Sequence, residues 1–287
     1  MTDETIGRRA LAHELIEHAA RCAGVLRHPK VRALHLPHPS LAGDKNGEFC
    51  AIELDDGSLG LSYVLLDDTL DRLRQGDAGG TLRGMDALSL AARYATGHGS
   101  ERTLGFAAIN ALTRSLFDRA AWLPRTSTDS VGELDPGPDD HVGMIGFFRP
   151  LVSRITSGGG RLTVLELKAE LVGEHDGFRV TLDPDELATC EKVLSTSTVL
   201  LNDTLDVVLA ACGGARRLAL IGPSAGCPPD PLFARGVSYL GGNWVVDREA
   251  FVAALTGGAS WGQYARKVGI TPADYPGLAA LIERAGA

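Results

Sequence analysis

The segment Gly143-Met144-Ile145-Gly146-Phe147-Phe148-Arg149-Pro150 joins an apolar run to a stretch that can be helical. Glycines at such a strand end let the backbone approach a ligand, and the first turn of the helix offers unpaired N–H groups to an anion. Glu166 closes the next apolar run, at about the 20-residue spacing where dinucleotide-binding folds place an acid for ribose hydroxyls. The pair is G-x-x-G and not G-x-G-x-x-G, so close strand packing with a solvated Glu166 accounts for the same residues equally well.

Two other loops at strand ends combine residue types suited to binding. In Ser195-Thr196-Ser197-Thr198-Val199-Leu200-Leu201-Asn202-Asp203-Thr204, Thr196 and Thr198 can donate to a carboxylate or phosphate. Asn202 or Asp203 would serve equally as the N-cap of the helix that follows. The loop Gly222-Pro223-Ser224-Ala225-Gly226-Cys227-Pro228-Pro229-Asp230-Pro231 has a backbone held to a fixed shape, with Ser224 free to bond a ligand. No activating base accompanies Cys227, which reads as a buried, inert thiol. His35 and His38 form a pair without a third spaced ligand, and His13 and His18, at i and i+5, do not share a helix face.

Residues 1–24 read as an amphipathic helix, followed by strands at 31–36 and 49–54. Asp55-Asp56-Gly57-Ser58 then turns into a third strand at 59–66, because Gly tolerates the positive φ of a tight hairpin. Helical spacing resumes at 85–94 and 101–119, where Leu104, Ala108, Ile109, Leu112 and Leu116 make one stripe. Residues 124–140 are polar, carry three prolines and have no apolar period, which marks a linker. Beyond it, strands at 141–148, 161–167, 192–195 and 217–221 alternate with helices at 151–156, 184–190 and 204–212, the pattern of a parallel sheet. The expected division is an α+β unit over 1–123, the linker, and an α/β unit over 141–287.

With 287 residues, two domains are the starting expectation. A net charge of -8 and the absence of a Lys/Arg run exclude an electrostatic footprint for nucleic acid. No stretch approaches the apolar length of a membrane span, and the first residues lack a signal-peptide core, so a cytoplasmic chain is expected. Five scattered cysteines with no C-x-x-C pair argue against a disulfide framework or structural zinc. A homodimer is left open.

Taken in order, GFAAINAL (105–112), VGMIGFFRPLV (142–152), TxTxLLNDTLD (196–206), LIGPSAGCPPDPLFARGV (220–237), GGNWVVD (241–247) and GGASWGQYARKV (257–268) resemble the recurrent motifs of the putative heavy-metal chelation family. The resemblance covers nearly the whole chain and fades before Thr81. It implies a domain like the N-terminal domain of enolases, a Rossmann-like C-terminal domain, and a ligand cleft between them. It further implies that Asn110, the 143–148 turn, Thr196, Thr198, Asn202 and the 222–224 turn face that cleft. Where the family usually has glycine, Ser197 and Asp203 stand here, and Val199 replaces a threonine.

Two functions follow as expectations. One is a binding protein for a metal chelate or small metabolite. The other is an enzyme using an adenosyl cofactor, S-adenosylmethionine being the candidate, as a transferase or cyclase. In that second reading Gly143, Gly146, Glu166, Thr196, Thr198, Gly222, Pro223 and Ser224 form the cofactor side, and the Phe147 or Phe148 ring faces a sulfonium. Asn110, Asn202 and Asp203 then belong to the substrate side. A transition-metal ion is the alternative cofactor.

Overall fold

A computed structural model of the chain describes residues 3–76, 78–129, 131–202 and 204–287, so Asp203 lies outside the described residues. Helix α1 (Asp3–Val25) buries Leu11, Leu15, Ala19 and Cys22, one face at helical spacing. Strands β1 (Val31–His35), β2 (Phe49–Leu54) and β3 (Leu59–Tyr63) form an antiparallel sheet in that order. Short helices α2 (Thr69–Gln75), α3 (Ala78–Leu82), α4 (Ala87–Ala91) and α5 (Arg93–Thr96) lead to α6 (Ser100–Arg119), which packs on β2 and β3. The stripe expected on α6 is buried throughout, together with most of the rest of the helix, because α1, α4 and α5 cover the faces the sheet does not.

Among the described residues, the second sheet has nine strands. They are β4 (Arg125–Thr126), β5 (His141–Ile145), β6 (Arg161–Leu165), β7 (Gly173–His175), β8 (Phe178–Thr181), β9 (Lys192–Thr196), β10 (Arg217–Ile221), β11 (Tyr239–Val245) and β12 (Ala265–Ile270). Their order is β4-β12-β11-β10-β9-β5-β6-β8-β7. The six from β11 to β8 run parallel, and numbered along the chain they follow the 3-2-1-4-5-6 arrangement of dinucleotide-binding folds. Between them lie α7 (Arg149–Thr156), α8 (Leu205–Ala211) and α9 (Asp230–Phe233), with α10 (Arg248–Gly257) and α11 (Leu278–Gly286) later in the chain.

The run expected as a strand to Phe148 ends at Ile145, because Gly146 takes φ +82° and breaks the extended path. The hairpin strand expected to Leu66 ends at Tyr63. Strands β8 and β11 carried no clear signal, since β11 contains Gly241 and Gly242 and β8 lies beside an exposed edge. The stretch expected as a linker is fastened down: Arg125 and Thr126 pair with β12, and Val131 and Leu134 are buried under the nine-stranded sheet.

The largest apolar cluster is continuous through both parts of the chain, joining Leu15, Ile52 and Leu112 to Val193, Leu220 and Leu240. The opposite face of the nine-stranded sheet is covered by α7 and the 131–134 segment, against Val142, Met144, Leu194 and Ala219. No helix among the described residues is long and apolar enough to cross a membrane.

At the starts of the parallel strands, the Asp140 carboxylate accepts from Lys192 Nζ at 2.6 Å, Arg216 at 2.9 Å and the Gly137 N–H at 2.6 Å. The Lys192 bond, first among these, and then the Gly137 N–H hold its pKa down to about 2 from 3.8. A depressed folded pKa means that this stabilisation is complete above the unfolded value and is lost as pH falls from about 4 through about 2. Asp140→Asn is therefore expected to lower the urea midpoint at pH 7 while the gap to the parent chain narrows below pH 4. An equal gap at pH 7 and pH 3 would show that the carboxylate charge is not what fastens this segment.

Candidate functional site

In an open parallel sheet the ligand crevice lies beyond the carboxyl ends of the strands, where the order reverses. Here β5 connects through α7 to β6 on one side, and the chain later returns to β9 on the other. The switch therefore falls between β5 and β9, and Gly146 and Thr196 flank it. A Cβ built on Gly146 would lie 3.1 Å from Thr196 Cγ2, so the two loops touch at their base. Thr196 Oγ1 donates to Thr198 Oγ1 at 3.0 Å and accepts from the Thr198 N–H at 3.2 Å, which presents both half-buried hydroxyls as a pair.

Glu166, just past β6, is half-buried. One carboxylate oxygen accepts the Phe147 N–H at 3.0 Å and the other its neighbour Leu167 N–H at 2.8 Å. It thereby ties the glycine turn of β5 to the end of β6, and each oxygen retains a lone pair for a further donor.

The N-terminal part closes over these strand ends through polar side chains. Tyr94 donates its hydroxyl to the Leu200 carbonyl at 2.7 Å, and Asn110 Nδ2 donates to Leu61 O at 2.7 Å and Ser224 O at 2.8 Å. Asn110 Oδ1 and Ser224 Oγ are buried and have no hydrogen-bond partner among the described residues. A narrow cleft of about 40 Å³ runs past Asn110, Pro223 and Gly226, room for a water or two. Tyr63, at the end of β3, has its hydroxyl pushed above 10 by burial first, then by the charges of Glu48 and Glu166. Burial, then Asp44, raises Glu48 likewise. The Tyr63 hydroxyl thus feels carboxylates from both parts of the chain, Glu48 and Glu166. Glu48 and Tyr63 carry no motif, and nothing in the sequence points to them, because only the packing of the small sheet on the large one puts Tyr63 within the field of Glu166.

The other expected residues are placed as follows. Gly143 lies mid-strand, and the space a side chain would take is filled by Leu187 Cδ2 at 3.1 Å and Cys190 Sγ at 3.3 Å. Gly222, at φ +148°, has its open side filled by the Ser197 hydroxyl, so a serine at 197 occupies room that a glycine would leave. Asn202 Oδ1 accepts from Thr204 N at 3.3 Å and Thr204 Oγ1 at 2.7 Å, closing the turn into α8. Phe147 tilts against Phe178 with ring centroids 5.7 Å apart, and Phe148 is half-buried beside it in chain order.

The family models DUF364 and DUF4213, both described as "Putative heavy-metal chelation", match residues 130–273 and 47–113. The chain belongs to this family. An uncharacterized protein of Methanocaldococcus jannaschii is 30% identical over 153 residues, 51% of this chain and 56% of that one, so the match spans about half its length. Two solved structures of DUF364 proteins of unknown function share the fold. That from Desulfitobacterium hafniense aligns at TM-score 0.64 and 21% identity over 88% of this chain and 96% of its own. That from Pyrococcus horikoshii aligns at TM-score 0.64 and 17% identity over 90% and 99%.

The donor set does not fit a resident heavy-metal ion. Thiolates are what soft metals take, and burial pushes Cys22, Cys50, Cys212 and Cys227 up to about 12 and Cys190 to about 11. His35 Nε2 is bonded to Glu53 at 2.8 Å, and His38 Nδ1 to Ser40 Oγ at 2.8 Å. Among the described residues no three His, Cys, Asp or Glu side chains gather as metal donors.

Proposed function

We propose that the chain binds a small, positively charged ligand, a metal chelate in the family's sense, at the ends of β5, β6 and β9. The observation that carries this is the switch point between β5 and β9, flanked by Gly146 and the Thr196–Thr198 hydroxyl pair. Glu166 supplies a carboxylate beside the switch point, with a free lone pair on each oxygen, which suits a cation and donors such as metal-bound water or an amine. Thr198, whose oxygen accepts from Thr196, supplies its own hydroxyl proton to an acceptor on the same ligand.

A second reading, an S-adenosylmethionine-dependent transferase or cyclase, is favoured by one specific feature. Glu166 ends the strand next to β5 and bonds the turn at Phe147, where a ribose-binding acid stands in dinucleotide-binding folds.

Thermal unfolding with hexaamminecobalt(III), zinc–EDTA, free transition-metal ions, S-adenosylmethionine and S-adenosylhomocysteine separates these readings. The cobalt complex, a compact cation that does not exchange its ligands, is expected to raise Tm by about 5 °C or more near saturation. The anionic zinc–EDTA should leave Tm unchanged, and Glu166→Ala should remove the cobalt effect. A shift with both adenosyl compounds, lost in Glu166→Ala, would instead select the adenosyl enzyme. Equal shifts with free metal ions and with chelates would overturn the chelate reading.

A further inference from the structure

A second concave site lies beside the strand-end crevice and shares Phe147 with its turn, between α7 and the β7–β8 hairpin. In the parallel-strand series the connection from β6 to β8 carries no α-helix; a 3-10 turn at Ala169–Leu171 and strand β7 stand in its place. The sheet face beside α7 is therefore left partly open, as a cavity of about 640 Å³. That volume is in the range of small-molecule pockets, roughly 300–1,000 Å³.

Its wall is a ladder of rings. His175 stacks on Phe178 with centroids 4.7 Å apart and planes 9° apart, and Phe178 meets Phe147 at 5.7 Å. The Arg149 guanidinium caps the ladder, 5.5 Å from the Phe147 centroid. Arg149 is exposed and has no carboxylate partner among the described residues, unlike Arg154 and Arg179 nearby, which pair with Asp129 and with Glu174 and Glu186. It also occupies the first turn of α7, so the N–H groups there reinforce its positive charge. The apolar floor is Val152 with Val180, and Asp176 lies on the hairpin side.

We propose that this groove is a binding site for a planar aromatic monoanion. The flat ring of the ligand lies along His175, Phe178 and Phe147, and its carboxylate or comparable anionic group meets Arg149 at the helix end. Asp176 disfavours a second negative charge at the far end of the ring system. The argument uses none of Glu166, Thr196, Thr198 or Tyr63, and shares only the Phe147 ring with the turn at the end of β5.

Calorimetric titration of the full chain with 1-naphthoate and its neutral isostere 1-naphthamide tests the proposal. Naphthoate is expected to bind with a Kd of about 0.1–1 mM, the range for a ligand of its size at ordinary efficiency, and about tenfold more tightly than the amide. Arg149→Ala should erase that preference and leave amide binding within about twofold. His175→Ala should weaken both probes about three- to tenfold. Both side chains are exposed, so neither substitution threatens folding, and Thr198→Val should leave naphthoate binding as it was. The proposal is overturned if naphthoate fails to saturate below about 5 mM, if the amide binds as tightly, or if Arg149→Ala changes nothing.

Discussion

Gly60→Ala is expected to destabilise the chain by about 3 kcal/mol or more, at the upper end for an overpacked core because the obstacle is backbone. A Cβ at Gly60 would stand well inside van der Waals contact with the Ala107 carbonyl oxygen and the Ala111 nitrogen, both backbone atoms of α6. Backbone cannot rotate away as a side-chain tip can, so α6 must lift off β3 as a unit. That movement would also pull Asn110, on the same helix face, away from Leu61 and Ser224. Urea unfolding followed by circular dichroism measures the loss, which corresponds to a fall in Tm of about 10 °C for a chain of this size. Gly79→Ala in α3 is the matched control: nothing lies within 4 Å of its Cβ position, and alanine in a helix should stabilise by up to about 1 kcal/mol. If Gly60→Ala unfolds within 1 kcal/mol of the parent chain, the close approach of β3 to α6 is wrong.

The second large effect is expected at Asn110. Its Nδ2 is the shared donor to carbonyls from the two parts of the chain, Leu61 O and Ser224 O. Asn110→Ala leaves both without that donor in a buried setting, for about 2–4 kcal/mol. Asn110→Asp should be worse near neutral pH, because an ionised carboxylate would face two carbonyl oxygens with no proton to offer. Lowering the pH to about 5 should recover part of this loss, since a buried, raised-pKa acid protonates and can then donate to one carbonyl. The sign is opposite to that for Asp140, whose stabilisation disappears in acid. Equal unfolding midpoints for the Ala and Asp variants at every pH would mean that Asn110 only fills space.

Legibility in the sequence followed the physics of each element. The hairpin at Asp55–Ser58 and the apolar runs of β5, β6, β9 and β10 were readable, because local turn chemistry and double-sided burial both leave marks in composition. The glycine-bearing β11, the short edge strand β7 and its neighbour β8 were not, since their pairing comes from neighbours in the sheet and not from their own residues. Glu166 and Thr196 were legible as candidates from their place after a strand. That Glu166 bonds the Phe147 N–H, or that Ser197 fills the space over Gly222, required coordinates.

The amino-acid sequence by itself determined the family, the alternation that makes a mostly parallel sheet, and the loops at its strand ends, because motifs, periodicity and turn residues are local properties of the chain. The tertiary structure alone decided which of those loops meet, which thiols and histidines are spent on packing and hydrogen bonds, and that Tyr94 and Asn110 reach the Leu200 and Ser224 carbonyls. Those are contacts between residues far apart in the chain, set by how α6 and the small sheet seat on the large one, and no short window of sequence encodes that seating.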